Sequence, residues 1–337
     1  MTLLEIARAA GVSKSTVSLV LNDSPNPFAI SEQTRTRVLD AADRLGYRPN
    51  AAARALATGR SDTILMVSFD LWDENLVERL RGVEAHLVPE GYSVRVCTAG
   101  SDSGLEAYSE ILRSGQSDGV LLTGLATRET LPILYDLRKE ANAVGVPVVA
   151  LADAFPPDSA DLVAHIDDEG GAERVVSHVI EHGHRRIMLL GVDDQPWATK
   201  RERGYRSALE KADIEPDTAL VVLGDRSQTW AYNATRELAV TREFSAMFVV
   251  TDNMAFAALA ALRDSGRRVP EDCAIVGFDN NEKIARFTDP PLTTVDNPFF
   301  EAGRAAARAL LDMIGKRPVA NIELPTGIVI RRSCGCP

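Results

Sequence analysis

The sequence has few cysteines and no long apolar run. Its four cysteines, Cys97, Cys273, Cys334 and Cys336, are too few and too scattered over 337 residues for a disulfide framework or a zinc site. No apolar stretch reaches the roughly 18 residues that cross a bilayer, and Glu5 lies where a secretion signal needs an apolar core. We therefore expect a cytoplasmic protein with reduced thiols and no membrane contact.

Basic residues are too few to balance the acidic ones, and the formal net charge is −11. A phosphate-binding module needs only a local basic face, so charge is better counted by segment. Residues 1–60 hold eight basic and five acidic side chains and carry +3, while the remaining residues carry −14. This asymmetry predicts a DNA-contacting head on an acidic body.

The N-terminal segment has the spacing of a helix-turn-helix. Ala7 is small enough for two helices to cross closely, Gly11 can adopt a positive φ in the turn, and Val17 can lock the second helix on the first. Ser13 is a natural N-cap for that second helix. An ordinary two-helix corner with a solvated face is the alternative interpretation.

The second helix, over residues 14–22, has an apolar face and a polar face. Val17, Val20 and Leu21 share the inward face by their three- and four-residue spacing. The outward face can enter the major groove of DNA, where side chains meet phosphates and base edges. Its candidate DNA-binding residues are Lys14, Ser15, Thr16, Ser18, Leu19 and Asn22.

A third helix and a shorter one complete the first sixty residues. Ser31 caps the third helix and Gly46 ends it. Pro49 then breaks the chain, and residues 51–59 can form a short helix that is too rich in alanine and polar groups to stand alone in water. The predicted apolar stripe of the third helix is Val38, Leu39, Ala42 and Leu45.

Five longer segments are informative as whole motifs: TLLEIARAAGVSKSTVSLVLN, LGYRPNAAARALATG, GHRRIMLLG, VPEDCAIVGFDN and PPLTTVD. With them the chain resembles the LacI/GalR (lactose/galactose repressor) family of bacterial transcription regulators along essentially its whole length. The resemblance implies an all-α helix-turn-helix head (1–47), a hinge helix (48–60) and an α/β two-lobed periplasmic-binding-protein-like domain for effector binding and dimerisation (61–337). The implied crossings between the lobes lie near 160, 291 and 322.

The resemblance also gives roles to single residues of the head and hinge. In the family the hinge helix pairs with its dimer mate over the minor groove and drives a leucine between bases; the matching residues are Leu56, with Ala53 small enough for close pairing and Asn50 at the cap. Packing of Leu56 on the body is the alternative. Leu19 stands where many members carry an arginine, and a leucine can pack on a thymine methyl instead. Simple loss of a base contact is the alternative for Leu19.

From residue 61 onward, short apolar runs alternate with helical stretches. The runs are ILMVSF, YSVRVC, GVLLTG, VPVVAL, RRIMLLG, ALVVLG, SAMFVV and CAIVGF. Apolar strands about 25 to 30 residues apart imply parallel sheets that are covered by helices on both faces. So many strands favour two lobes, whose ligands bind beyond the carboxyl ends of the strands.

Aspartates, arginines and tryptophans follow those strand ends, a combination suited to a hydroxyl-rich ligand such as a sugar. The resemblance implies effector contacts for Arg201, Asp252 and Asp279. Arg226 stands where other members often present an aromatic ring, so it either attracts a carboxylate or phosphate on the ligand or pairs with a neighbouring aspartate. The candidate effector-binding residues are Asp70, Trp72, Trp197, Arg201, Arg226, Asp252 and Asp279.

The sequence predicts no catalytic centre, cofactor or metal site. His178, His182 and His184 are expected to diverge because their segment runs from a helix end into a strand. Cys334 and Cys336 are interpreted as two thiols at a chain end with no partner nearby. A sugar-metabolising enzyme or a periplasmic-type binding protein is the rival hypothesis, and the lack of a catalytic constellation and of an export signal argues against both.

We therefore expect a homodimeric repressor that binds a near-palindromic double-stranded DNA operator under the control of a small carbohydrate effector. The chain ends at Pro337 without a heptad extension, which favours dimers over tetramers.

Overall fold

A computed structural model describes residues 2–21, 30–47, 59–69, 73, 75–98, 102–124, 130–151, 155 and 157–336. Residues 48–58 of the predicted hinge helix lie outside the described residues. So do six of the candidate site residues, namely Asn22, Asn50, Ala53, Leu56, Asp70 and Trp72.

The described residues of the head form three helices, α1 (Leu3–Ala10), α2 (Lys14–Leu21) and α3 (Glu32–Arg44). Gly11 ends α1 with a φ of 66°, and the Ser13 hydroxyl accepts the backbone N–H of Thr16 at 3.0 Å, so it caps α2. Ala7 and Val17 are buried where the helices meet. The predicted helix-turn-helix is confirmed.

The predicted apolar stripe of α3 is wrong at one position. Leu39 is 45% exposed, whereas Val38 and Ala42 are buried and Leu45 packs against the head core. Positions 38, 42 and 45 follow the four- and three-residue spacing of one helix face, and Leu39 lies about 100° away from Val38. Ala41, three residues after Val38, occupies the buried face instead.

The body alternates strands with helices along most of its length. In chain order the strands are β1 (Thr63–Ser68), β2 (Ser93–Thr98), β3 (Gly119–Thr123), β4 (Val148–Ala150), β5 (Leu162–Ile166), β6 (Ile187–Val192), β7 (Val221–Gly224), β8 (Ala246–Val249), β9 (Ala274–Asp279), β10 (Thr293–Asp296), β11 (Ile322–Leu324) and β12 (Gly327–Val329). The helices are α4 (Leu76–Leu87), α5 (Asp102–Arg113), α6 (Leu131–Val144), α7 (Asp168–Glu181), α8 (Pro196–Lys211), α9 (Gln228–Thr241), α10 (Asp252–Asp264), α11 (Glu282–Ala285) and α12 (Phe299–Ile314). Among the described helices, none is both long enough and apolar enough to span a bilayer.

The first lobe is a six-stranded parallel sheet in the order β11-β5-β4-β3-β1-β2. Its central strands are buried on both faces, as β-branched and leucine-rich runs in a parallel sheet require. Although α12 comes late in the chain, its Ala306 and Leu310 lie in this core beside Ile64 and Leu121. The first lobe therefore contains residues from both ends of the body.

The second lobe is a six-stranded sheet in the order β12-β10-β9-β8-β6-β7, in which only the edge strand β12 runs antiparallel to its neighbour. Its core joins α7, α8, α9 and α10 to the sheet. The chain passes between the lobes at residues 167, 297–298 and 325–326, each a few residues beyond the expected positions near 160, 291 and 322.

The two-lobed α/β body is confirmed, and all eight apolar runs are strands. The sequence pattern did not predict four further strands, β5, β10, β11 and β12. Two of them have only three residues each, and β5 carries His165 in the middle of its run, so they lack a continuous apolar signature.

Candidate functional site

Four neighbouring strands of the second lobe, β6, β8, β9 and β10, end at the same edge of their sheet. Polar groups follow each end. Helix α8 follows β6 and carries Trp197 and Arg201, Asp252 begins α10 after β8, Asp279 ends β9, and Asn297 follows β10. The parallel topology therefore gathers Trp197, Arg201, Asp252 and Asp279, which the sequence predicted as effector contacts.

Arg201 is the most connected side chain of this cluster and is only 4% exposed. Its Nε donates to Asp168 Oδ1 at 2.8 Å, its Nη1 donates to the Val250 carbonyl at 2.6 Å, and its Nη2 lies 3.1 Å from Asp279 Oδ1. Burial disfavours the charged guanidinium, but Asp279 and Asp168 outweigh that effect and raise the pKa of Arg201. The Arg201 guanidinium therefore stays charged, and its charge is already balanced by Asp168 and Asp279.

The Arg201 guanidinium also lies over aromatic rings. Its central carbon is 3.6 Å from the centroid of the Phe278 ring and 4.7 Å from that of Trp197. Both distances are within the range of cation–π attraction, which is stronger in a desolvated site. These stacking contacts hold Trp197 beside the ionic network.

A close helix crossing places Asp168 against Arg201. Asp167 caps α7 by accepting the Gly170 N–H at 2.8 Å, so Asp168 is the first residue of the helix. One turn after Arg201, a Cβ on Gly204 would overlap the backbone carbonyl of Glu169. Only glycine allows α7 and α8 to approach this closely, and the approach sets the distance of the Asp168–Arg201 pair.

Asp279 has an unusual backbone and a perturbed carboxyl group. Its φ is 109°, a conformation that L side chains rarely adopt, and Asn297 Nδ2 donates to Oδ1 at 3.2 Å. Burial raises its pKa to about 6; Arg201 opposes this shift, whereas Asp168 and Asp73 add to it. The carboxyl group therefore changes charge close to physiological pH.

Asp252 lies behind Asp279 and is 1% exposed. Its Oδ1 accepts the Thr294 hydroxyl at 2.6 Å and its Oδ2 accepts the Asn281 N–H at 2.8 Å. Burial, and then the charge of Asp279, raise its pKa well above the ordinary value. Both oxygens are engaged in holding the segment that follows β9.

The first lobe contributes a second buried ion pair. Asp73 pairs with Arg79 of α4, and the Arg79 guanidinium lies 4.7 Å from the centroid of the Phe299 ring at the start of α12. The charge of Asp73 adds to the raised pKa of Asp279, so a carboxyl group of the first lobe interacts with one of the second. The cleft is thus bordered by acidic groups from both sides.

Three buried polar atoms at the cleft make no hydrogen bond within the described residues. They are the indole Nε1 of Trp197, the amide Oδ1 of Asn297 and the guanidinium Nε of Arg79. An unsatisfied buried polar group costs about 1–3 kcal/mol. These atoms are two donors and one acceptor.

The remaining predicted effector residue, Arg226, follows the edge strand β7 and is partly buried, outside the Arg201 network. Sequence reasoning missed Asp73, Asp168 and Asn297. Asp168 and Asn297 follow β5 and β10, so recognition of those strands would have placed both residues at strand ends. Asp73 comes shortly after the predicted first strand, beside Asp70 and Trp72, and could have been included with them.

In the head, the predicted DNA-binding residues of helix α2 lie outside the fully buried positions of the helix. Lys14 and Ser15 are exposed, and Thr16, Ser18 and Leu19 are partly buried. The Ser13 hydroxyl lies 2.7 Å from that of Ser15 and 2.8 Å from that of Thr16. In the described part of the head, Leu19 is not a member of the apolar core, whereas Val17 and Val20 are.

The expectation that the three histidines diverge is wrong for two of them. The rings of His178 and His182 are 4.4 Å apart at the end of α7, and both contact the cysteines of the C-terminal segment. His184 does turn elsewhere, with its Nδ1 3.0 Å from Ser245 Oγ.

Two family descriptions match the chain. Residues 2–50 match "Bacterial regulatory proteins, lacI family", and residues 176–334 match "Periplasmic binding protein-like domain". The transcriptional regulator CelR of Thermobifida fusca is 36% identical over 98% of both chains. The transcriptional repressor CytR of Escherichia coli (strain K12) is 33% identical over 93% of this chain and 89% of its own.

Solved structures agree with this assignment. A CelR–cellobiose complex has a TM-score of 0.71 at 33% identity, and a Lac repressor dimer bound to operator and an anti-inducer has a TM-score of 0.81 at 27% identity. Each match covers 99% of both chains. These relatives are effector-controlled DNA-binding regulators and not enzymes, and this chain belongs to the same family, the lacI family of bacterial transcriptional regulators.

Proposed function

We propose that the chain is a homodimeric repressor of the cytoplasm whose operator affinity is set by a neutral, hydroxyl-rich ligand of the carbohydrate class. The observation that carries the ligand class is the charge balance of the cleft. Four buried carboxyl groups, those of Asp73, Asp168, Asp252 and Asp279, stand against two arginines, Arg79 and Arg201, which are both already paired. Ionised carboxylates accept hydrogen bonds from hydroxyl groups and repel anionic ligands, and the carboxyl group of Asp252, whose pKa is raised, adds no charge that would attract an anion.

The unsatisfied atoms of the cluster support the same ligand class. A sugar hydroxyl both donates and accepts, so one hydroxyl suits the Trp197 N–H and another suits the Asn297 carbonyl oxygen. The Trp197 ring offers an apolar face beside these polar groups. A solved structure that is 33% identical to this chain is a complex of CelR with cellobiose.

Arg226 is the one predicted site residue that would favour an anionic ligand over a neutral one. It lies beyond the edge strand and already interacts with other groups of the protein. A single engaged arginine outside the cluster does not offset four buried carboxyl groups. We therefore rank sugar acids and sugar phosphates below neutral sugars.

On the DNA side, we propose that residues 1–47 form the head, 48–60 the hinge and 61–337 the effector-binding and dimerising body. Two heads would read the half-sites of a near-palindromic operator through Lys14, Ser15, Thr16, Ser18, Leu19 and Asn22, and two hinges would insert Leu56 with Asn50 and Ala53 nearby. A ligand that binds Asp279 of one lobe and reaches the Asp73 side of the other would alter the lobe angle and thereby the spacing of the hinges.

The test is a thermal-shift screen of the purified chain against neutral mono- and disaccharides, sugar acids, sugar phosphates and nucleosides. A cleft ligand raises the melting temperature by mass action. We expect hits among the neutral sugars, and the best hit should change the affinity for an operator-containing DNA fragment in fluorescence anisotropy. Stabilisation by sugar acids or phosphates alone would overturn the ligand class, and a hit that leaves DNA affinity unchanged would overturn its role as effector.

A further inference from the structure

Two histidines at the end of α7 point to the same place. His178 lies in the last turn and His182 is the C-cap residue, so they are four residues apart on one helix face. Their ring centroids are 4.4 Å apart. This spacing is the one by which helices present paired imidazoles to a metal ion.

The C-terminal segment brings two thiols to these rings. After β12 the chain makes a short 3₁₀ turn, Arg332–Cys334, and then reverses at Gly335, which has a φ of 91°. The reversal is of a kind that favours glycine, and it turns Cys334 and Cys336 toward the same side. Cys334 is buried, and Cys336 is partly exposed.

Three of the four side chains, His178, Cys334 and Cys336, form one compact cluster, and His182 adjoins it through Cys336 and the His178 ring. His178 Nε2 lies 3.3 Å from Cys334 Sγ and 3.5 Å from Cys336 Sγ, and His182 Nε2 lies 3.1 Å from Cys336 Sγ. The potential ligand atoms of His178, Cys334 and Cys336 all lie within 4.8 Å of one another. A tetrahedral Zn²⁺ with ordinary bond lengths would set its nitrogen and sulfur ligands about 3.6 Å apart. The three nitrogen–sulfur distances given above differ from that value by about half an ångström or less, and His182 must move closer to Cys334 to complete a tetrahedron.

The hydrogen bonds around the cluster orient its side chains as metal binding requires. His182 Nδ1 lies 2.8 Å from the His178 carbonyl oxygen, which can only accept, so Nδ1 carries the proton and the Nε2 lone pair faces Cys336. Metal-binding histidines commonly donate their second nitrogen to a backbone carbonyl in this way. The tail is anchored beside the cysteines, since Ser333 Oγ donates to the Ile275 carbonyl at 2.6 Å and accepts the Thr293 N–H at 2.8 Å.

We propose that His178, His182, Cys334 and Cys336 form a binding site for one Zn²⁺ ion or a similar thiophilic divalent metal ion. Two thiolates and two neutral imidazoles balance the charge of the ion, and the thiol protons leave to solvent on binding. With four protein ligands the site is closed, so its role is structural. It fastens the end of the chain to α7, the helix whose first residue, Asp168, holds Arg201 in the cleft.

Metal content of the full-length chain, purified without a polyhistidine tag and under a thiol reductant, tests the site directly. We expect close to one zinc per chain by mass spectrometry of the metal, retained after dialysis. Replacement by Co²⁺ should give the intense visible absorption of a tetrahedral thiolate-bound ion. A chelator should lower the melting temperature, and added Zn²⁺ should restore it.

Variants separate this site from adventitious binding. Cys336→Ser and His182→Ala change partly or fully exposed ligands, and each should weaken zinc binding by more than the roughly 10- to 100-fold that loss of an outer hydrogen-bond partner costs. Each should also abolish the chelator-dependent melting shift. Cys97→Ser and His86→Ala, which remove a thiol and an imidazole from β2 and α4 of the first lobe, should leave both unchanged.

Three results would overturn the proposal. The first is a chain that holds no zinc and gains none on titration, so that the contacts are only thiol–imidazole hydrogen bonds. The second is zinc binding that persists in both Cys336→Ser and His182→Ala. The third is a Cys334–Cys336 disulfide that forms under the reductant in preference to the metal complex.

Discussion

Arg201 and Asp279 form a buried ion pair, 3.1 Å between Nη2 and Oδ1, and Asp279 holds it with a φ of 109°. Such a backbone costs on the order of 1–3 kcal/mol and persists where surrounding contacts over-determine it. Asn297 and Arg201 supply those contacts from two different elements. These contacts therefore fix the strained backbone and the carboxyl group of Asp279 at the edge of the cleft.

Replacing Asp279 with asparagine should weaken effector binding while sparing operator binding without effector. The change removes a charged acceptor from the ligand, and a hydrogen bond to a charged group contributes about 1.5–3 kcal/mol, or roughly 10- to 150-fold in Kd. Isothermal titration calorimetry measures the loss. Asp225→Asn is the matched control, because the described hydrogen bonds of that exposed carboxylate go only to Ser227 of its own loop, from the backbone N–H and the side chain. Equal Kd values for the native chain and Asp279→Asn would remove Asp279 from the ligand site.

Effector affinity should depend on pH through the same carboxyl group. Burial raises the pKa of Asp279 to about 6, so the ionised form that accepts ligand hydroxyls becomes scarce below that pH. We expect Kd to rise as the pH falls through about 6, approaching tenfold per pH unit, and Asp279→Asn to flatten this dependence. A native chain whose Kd is constant across this range would contradict the role of the ionised carboxylate.

The stability of the protein should respond to pH in the opposite sense. Because the folded Asp279 carboxyl binds its proton more tightly than an ordinary aspartate of pKa 3.8, its favourable contribution to folding is complete below about pH 4. That contribution is lost as the pH rises through about 6. The free energy of unfolding of the native chain, minus that of Asp279→Asn, should therefore fall over this interval in urea titrations. A constant difference would show that the carboxyl group titrates normally.

Trp197→Phe should separate ligand binding from folding. The substitution removes a buried N–H that has no partner among the described residues and keeps most of the ring that lies over Arg201. The melting temperature without ligand should stay the same or rise, since the cost of an unsatisfied donor disappears. Effector affinity should fall by about 1 kcal/mol, or roughly fivefold. A variant with native effector affinity would show that the indole N–H does not bind the ligand.

Gly204→Ala should disturb the site from a distance. The added Cβ would overlap the Glu169 carbonyl, so α7 and α8 must separate, at a cost of about 1–3 kcal/mol of stability. Arg201 and Asp168 would then lose their fixed geometry, and effector affinity should drop together with the melting temperature. Arg203→Ala on the same helix is the control, because it removes only an exposed ion pair to Glu169, worth less than about 1 kcal/mol. Native behaviour of Gly204→Ala would mean that the crossing relaxes without cost.

The long apolar strands of the body could be predicted from sequence because parallel strands covered on both faces are apolar at every position. Strand β3, Gly119–Thr123, is buried throughout and follows this rule. Strand β5 does not, since His165 interrupts it, and the neglect of β5 concealed Asp168 at its end. The sequence therefore predicted Arg201 and Asp279 as site residues. It did not predict Asp168, which accepts the hydrogen bond from Arg201 Nε.

The histidine–cysteine cluster could not be predicted from patterns within one segment of the sequence. His178 and Cys334 are separated by most of the second lobe in sequence, and only the placement of the C-terminal segment beside α7 joins them. His182 was expected to diverge from His178 because the segment runs from a helix end into a strand, but His182 is the C-cap residue of the helix and stays beside His178. Spacing within one segment predicts a face, but a site that joins two distant segments requires the tertiary fold.

Leu19→Arg should change which DNA the head selects without unfolding it. Leu19 lies on α2 outside the apolar core of the described head, so the melting temperature should move by no more than about a degree or two. An arginine at this position can contact guanine with two hydrogen bonds, which favours guanine at one position per half-site by about 1–3 kcal/mol. Selection of operators from a randomised DNA pool reads out the change. An unchanged consensus, or an unfolded variant, would mean that Leu19 is a packing residue.

The late position of α12 has a consequence for how the protein is made. The sheet of residues 63–166 leaves the ribosome first, but Ala306 and Leu310, which cover one of its faces, follow only after the helices of the second lobe. At ordinary elongation rates that interval lasts on the order of ten seconds. During it the face of the first sheet that holds Ile64 and Leu121 has α4 but not yet α12 against it. The lobe whose synthesis begins first is therefore completed only at β11, a few residues before β12 completes the second lobe.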